Sequence, residues 1–196
     1  GPTATAATLT QVSCPGGNDG SAEVTVSNGT GPFTYSWSPS GGSGTTANNL
    51  PAGNYTVTVY DANNCITTVN TTVAAPNPII TSAVTTNVLC NGDANGTAII
   101  SNTTGGTIPY TYSWSDGSVG VSASGLAAGT YTITTTDGNS CTATSTVTIT
   151  QPPLLTAAAT PTPAACNGAS SGQVSASASG GIGMTGEDGS EDEEAL

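Results

Sequence analysis

Five cysteines are the residues of this chain best equipped for covalent chemistry, and their spacing is regular. Cys14, Cys90 and Cys166 stand 76 residues apart, and so do Cys65 and Cys141. Thiols so placed either pair as disulfides or ligate a soft metal. A thiolate metal site is poorly served, because the cysteines are single, no CxxC occurs and histidine is absent. The spacing predicts one disulfide inside each repeat, Cys14–Cys65 and Cys90–Cys141. Each would close a loop of about fifty residues and contribute roughly 4 kcal/mol in chain-entropy terms. Cys166 is left unpaired. Disulfides imply an oxidising compartment, hence export.

The other candidate ligands are carboxylates. Asp61-Ala62-Asn63-Asn64, Asp93-Ala94-Asn95-Gly96 and Asp137-Gly138-Asn139 resemble pieces of calcium loops, yet none has the full oxygen series or the closing Glu. Asx turns at hairpins need the same residues. Asp61, Asp93 and Asp137 are therefore turn residues first and calcium ligands second, and no other cofactor is expected. Trp37 and Trp114, with Tyr55 and Tyr131, are either core aromatics or platforms on which sugars stack. One Trp per repeat on an alternating strand favours the core, where the tyrosine hydroxyls can anchor a corner.

Composition closes other routes. The 196 residues include no Lys, Arg or His against twelve acids, a formal net charge of −12. No side chain titrates naturally near neutrality, no amine can form a Schiff base, and no guanidinium can clamp a phosphate. Nucleic acid, bound chiefly through Lys and Arg, is excluded as a partner. No apolar run approaches the roughly 20 residues of a membrane helix, so no membrane insertion is expected. Paired carboxylates could support glycoside chemistry. However, each full repeat has only three acids, mostly in turn contexts, and no enzyme is expected.

The elements that must hold these residues follow a period of two. Tyr55, Val57 and Val59 alternate with Thr56 and Thr58; Phe33, Tyr35 and Trp37 alternate with Thr34 and Ser36. The same alternation returns in Tyr110, Tyr112 and Trp114, and nine of sixteen positions match between Leu50–Cys65 and Leu126–Cys141. A period this regular marks tandem units, and short alternating strands between turn signals mark a β-sandwich. The expected fold is all-β, in tandem immunoglobulin-like β-sandwich repeats with one intradomain disulfide each. Repeat 1 is placed at 1–76, repeat 2 at 77–152 and a partial repeat 3 at 153–183. Residues 184–196 form an acidic tail whose composition breaks with the rest. That tail is either a foreign appendage, or the truncated repeat above it pairs with another chain by strand addition or through Cys166.

These residues together resemble a known family. The run from Cys90 through CNGDANGTA, then PYTYSWS, then LAAGTYTITTTDGNSC and a Pro-bearing link is similar to the SprB-type repeat of very large cell-surface adhesins in gliding Bacteroidetes. Cys14, Trp37, Gly53, Tyr55, Asp61 and Cys65 match the pattern in repeat 1; Cys90, Trp114, Gly129, Tyr131, Asp137 and Cys141 match it in repeat 2. The resemblance implies type IX export, display at the bacterial cell surface, and service as an adhesive stalk or filament linked to gliding motility. It implies other repeats of the same protein as partners. Surface polysaccharide, bound by a carbohydrate-binding module, and self-association into a filament are the alternatives.

Overall fold

A computed structural model describes residues 1–166 and 170–181, and the acidic tail expected at 184–196 lies outside them. Fourteen strands and no helix are present among the described residues. The Thr- and Val-rich alternating runs explain this: strands such as Gly53–Tyr60 put one row of branched or aromatic side chains inward and a row of Thr outward.

The first six strands are β1 (Thr3–Thr10), β2 (Gly20–Ser27), β3 (Thr34–Ser38), β4 (Thr46–Leu50), β5 (Gly53–Tyr60) and β6 (Ile66–Val73). They form two three-stranded sheets, β1-β2-β4 and β3-β5-β6. The next six are β7 (Ile80–Thr86), β8 (Gly96–Thr104), β9 (Thr111–Trp114), β10 (Ser122–Leu126), β11 (Gly129–Thr136) and β12 (Thr142–Ile149). Their sheets, β7-β8-β10 and β9-β11-β12, repeat the same order. A final hairpin joins β13 (Thr156–Thr162) to β14 (Gln173–Ser179).

The chain divides into two compact units that do not follow the 76-residue period. The first comprises Gly1–Ser82, Ile100–Val121 and Thr132–Ser145, and so takes in strands from both repeats. Its main core lies between the first two sheets. Ala22, Val24, Ala47 and Leu50 from one sheet meet Trp37, Tyr55, Val57, Val59 and Val73 from the other. The second unit comprises Ala83–Ile99, Ser122–Tyr131 and the described residues from Thr146 onward. It buries Val88, Ala98, Ala123, Leu126 and Ile149, while every residue of β13 and β14 is exposed.

Strand direction decides which ends of the sandwich the loops share. Thr8 Oγ1 donates to the Thr72 carbonyl and Val12 N–H to that of Ala74, so β1 and β6 end side by side. β5 is antiparallel to β6 and β3 to β5, while β4 is antiparallel to β2 and β2 to β1. Strands β3 and β4 therefore run the same way. β3 pairs with the far half of β5 and β4 with the near half of β2. Together they make one traverse of the sandwich that changes sheets midway.

The 76-residue period also slips within a strand. Ala4, Ala6 and Thr8 of β1 are half-buried, whereas the half-buried residues of β7 are Thr81 and Ala83. The β1–β2 register is irregular between Thr8 and Thr10, which is consistent with such a shift. One extra residue moves every preceding side chain to the opposite face.

Truncating Leu50, 1% exposed, to Ala should cost about 2–5 kcal/mol, because the cavity cannot fully collapse. Ile66→Ala, at a position 60% exposed, should stay within about 0.5 kcal/mol. Urea unfolding of the two variants checks both.

Candidate functional site

The aromatic residues serve the sandwich. Trp37 and Trp114 are 6% and 4% exposed, so neither ring offers a face for a sugar. Each pins the segment in which the chain changes sheets. Trp37 Nε1 donates to the Gly44 carbonyl at 2.9 Å, and Trp114 Nε1 to that of Gly120 at 3.0 Å. Gly41 is required there: at φ 127° a Cβ would lie 2.8 Å from Ala47 Cβ and 2.9 Å from Trp37 Cβ. Tyr55 Oη donates to the Pro51 carbonyl at 2.7 Å and Tyr131 Oη to that of Ala127 at 3.1 Å, the same corner in each repeat.

The acidic turns position the second cysteine of each repeat. Asp137 is 5% exposed and its carboxylate is surrounded by backbone donors. Oδ1 accepts from Asn139 N–H at 2.9 Å and Cys141 N–H at 2.8 Å, and Oδ2 accepts from Thr107 N–H at 2.8 Å. Asp61, 6% exposed, repeats this with Asn63 and Cys65 at 2.9 Å and Thr30 at 3.3 Å. The Cys65 amide, with those of Thr30 and Asn63, holds Asp61 below the usual carboxylate range against the opposing effect of burial. At Asp137 burial is the largest influence and raises the pKa. The amides of Thr107, Cys141 and Asn139 together outweigh it, and the net shift is downward. Both carboxylates are thus occupied as turn acceptors. Asp93 is half-buried, with Asn95 Nδ2 3.3 Å from its Oδ2. Among the described residues no group of three or more His, Cys, Asp or Glu converges on a metal position.

The disulfide joins the two repeats. Cys14 is bonded to Cys141, with Cα atoms 5.5 Å apart and 127 residues between them in sequence. Cys65, Cys90 and Cys166 are free and exposed. The expectation of one intradomain disulfide per repeat, Cys14–Cys65 and Cys90–Cys141, is thereby corrected, and strand direction supplies the reason. Cys14 follows β1 beside Ala74, at the finishing end of β6, whereas Cys65 precedes the first residue of β6. Eight extended residues intervene, roughly 26 Å at about 3.3 Å per residue. A disulfide needs Cα atoms within about 7 Å. The same register places Val88 against Thr150, beyond the end of β12, while Cys141 precedes its start.

Around the bond, the Ser13 carbonyl accepts from Asn139 Nδ2 at 3.5 Å and lies 3.3 Å from Cys141 Sγ, a contact without a donor because that sulfur is in the disulfide. Ser13 is itself held by Asp19, whose Oδ1 accepts its N–H at 3.0 Å and whose Oδ2 accepts its hydroxyl. Those Ser13 donors, hydroxyl first, keep the Asp19 pKa low. A cleft of about 390 Å³ beside the bond is lined by Cys14, Pro15, Pro78, Ile79, Ser140 and Cys141. Sequence reasoning missed Ser13 and the amide pair Gln11 and Asn87. The pair carried a signal, lying 76 residues apart. Gln11 Oε1 accepts from Ala74 N–H, and Asn87 Oδ1 from Thr150 N–H at 2.8 Å.

The SprB repeat family matches residues 6–44, 82–119 and 158–184, together more than half of the sequence. The chain belongs to the SprB repeat family. The three matches correspond to two full repeats and one partial one. No curated protein matches the chain. Among solved structures it is similar to a C-terminal 282-residue fragment of intimin in complex with the intimin-binding domain of its translocated receptor. The identity is 14% and the TM-score 0.35, over 79% of this chain and 66% of that one. The eight N-terminal Ig domains of Down Syndrome Cell Adhesion Molecule give 12% and 0.36, over 76% and 24%. Murine CEACAM1b gives 12% and 0.29, over 76% and 100%. The SprB chain thus spans just under two thirds of the intimin fragment and about a quarter of the eight-domain one. At these scores the similarity carries no argument about binding.

The depressed carboxylates set the acid limb of stability. The unfolded chain holds Asp at a pKa of about 3.9, above the folded value at Asp61 and Asp137. Below that point the unfolded state binds more protons, so stability falls as pH drops from about 4 through the folded pKa values and is fully present above. Asp137→Asn replaces an acceptor by a donor facing Thr107. It should lower stability at neutral pH and flatten the acid slope, as measured by urea midpoints across a pH series.

Proposed function

We propose that this chain is a structural, adhesin-type stretch of SprB repeats displayed outside the cell, as part of a stalk or filament. The observation that carries the reading is the bond between Cys14 and Cys141, which ties one repeat to the next rather than a repeat to itself. Such a bond forms and persists in oxidising surroundings. It also puts a covalent link in parallel with the Pro-bearing peptide link at Ala75–Pro78. The recurrence of sheet order supports repeats at 1–76 and 77–152 with a partial one at 153–183. Display by the type IX route and service in gliding motility are the finer form of the same proposal. The buried indoles, already used to pin the sheet change, favour this passive role over a sugar-stacking one.

Two measurements test it. Pulled from its ends, the oxidised chain should withhold the 127-residue segment closed by the bond, roughly 420–460 Å of contour at about 3.3–3.6 Å per residue. Reductant should release it. Equal extension in both conditions would remove the inter-repeat tether. Antibody labelling of intact, unpermeabilised source cells should find the chain at the surface; labelling only after permeabilisation would overturn the extracellular reading.

A further inference from the structure

Cys90 stands in the same backbone setting as Cys14. The residue before Cys14 donates its N–H to Asp19 Oδ1 at 3.0 Å, and the residue before Cys90 donates to Asn95 Oδ1 at 3.3 Å, each pair 76 residues apart. The Cys14 carbonyl accepts from Gly17 N–H at 3.0 Å and the Cys90 carbonyl from Asp93 N–H at 3.2 Å. Two residues earlier, Val12 donates to Ala74 at 2.9 Å and Val88 to Thr150 at 3.1 Å. The loop bearing each thiol is therefore built by the same bonds, although only one thiol is oxidised.

The chain beyond each loop is matched as well. Gly106 N–H donates to Asn77 at 2.8 Å, and Gly181 N–H to Pro153 at 2.9 Å. Gly105 (φ 75°) and Gly180 (φ 87°) crowd the preceding link alike, for an added Cβ would lie 1.9 Å from the Pro78 oxygen and 2.0 Å from the Leu154 oxygen. A cleft of about 400 Å³ beside Cys90 is lined by Leu89, Asn91, Leu154, Leu155 and Gly181. It contains the 76-residue counterparts of Cys14, Pro15, Pro78 and Ile79. Among the described residues, the wall formed in the first cleft by Ser140 and Cys141 has no counterpart. Leu155 is 65% exposed where Ile79 is 8% exposed, and Leu89 is 66% exposed where Ser13 receives Asn139.

We propose that the cleft at Cys90 is the receiving half of a second inter-repeat disulfide, and that its occupant is the Asp–Cys turn of a complete following SprB repeat. Cys65, held by Asp61 as Cys141 is held by Asp137, is the matching half for the first-loop cysteine of a preceding repeat. Consecutive repeats are then bonded in a staggered series, each giving one sulfur forward and one back. In each bond two thiols lose two protons and two electrons to form one S–S link. The acceptor is a low-molecular-weight disulfide such as oxidised glutathione, which leaves as two thiols by exchange. The inference rests on reading the chain as part of a repeat series; surface display is read separately by cell labelling, so failure of one leaves the other standing.

The test inserts a copy of residues 107–152 after Gly181 of the full chain, which completes the third repeat from the protein's own sequence. Both chains are equilibrated in a glutathione redox buffer, alkylated, and mapped without reduction by mass spectrometry. In the present chain Cys90 should be fully alkylated while Cys14 and Cys141 are bonded. In the extended chain alkylation of Cys90 should be lost and a peptide joining it to the inserted cysteine should appear, with Cys65 and Cys166 still free. Pairing of the inserted cysteine with Cys166, its persistence as a free thiol, or a Cys90-linked dimer of two chains would each overturn the proposal. If the inserted chain fails to fold, a chain ending in a second full copy of 77–152 after residue 152 serves instead. There, too, a folded product with Cys90 alkylated refutes the assignment.

Discussion

A carboxylate buried in a chain without Lys, Arg or His has no basic side chain to pair with, so within the protein it must draw on uncharged N–H and O–H donors. Asp61 and Asp137 obey this constraint by drawing three backbone amides each around one side chain. The amides come from two different loops, Thr30 or Thr107 on one side and the Asx turn on the other. One group therefore sews together two connections at the same end of its repeat. The last amide it recruits belongs to the second cysteine. Charge scarcity thus determines where a sulfur sits.

That sulfur emerges at the end of the sandwich opposite the first cysteine of its own repeat, a consequence of the sheet change between β3 and β4. Two strands that run the same way count as a single traverse. The chain therefore passes an odd number of times between Cys14 and the start of β6. The two cysteines of a repeat therefore lie at opposite ends of it. A bond within a repeat would have stiffened a sandwich that already buries Leu50, Val57 and Val59 completely or nearly so. The bond between repeats instead spans the link from one sandwich to the next. It closes a loop more than twice as long as an intradomain bond would, worth about 5 kcal/mol against roughly 4 in the same entropy model.

Much of this was legible from residue patterns. The period of two exposed the strands, because inward rows such as Tyr55, Val57 and Val59 repeat in step with the pleat. The Asp-x-Asn turns announced themselves through the residues that Asx geometry demands. The disulfide pairing was not legible. Equal spacing makes Cys14 as distant from its own repeat's second cysteine as Cys90 is from Cys141, so spacing cannot separate pairing within repeats from pairing across them. The deciding fact was that the short runs containing Trp37 and Leu50 share one direction. No local pattern encodes direction, since alternation looks the same read either way along a sheet. The register shift near Leu9 was hidden for a similar reason: an inserted residue changes which face is inward without changing composition.

The placement of the tryptophans gives the last step. Trp37 and Trp114 anchor the crossover loops through indole N–H bonds to Gly44 and Gly120, and so hold the chain where it leaves one sheet for the other. If that crossover were loosened so that β3 and β4 became separate antiparallel traverses, the second cysteine would move to the opposite end of its repeat. The sulfur would then meet its own repeat's first cysteine instead of its neighbour's. On this argument, the buried aromatic that holds the crossover fixes the end at which the second cysteine lies. The selection acts through topology, not contact, and it explains how a chain without Lys, Arg or His can specify which of five chemically identical thiols should meet.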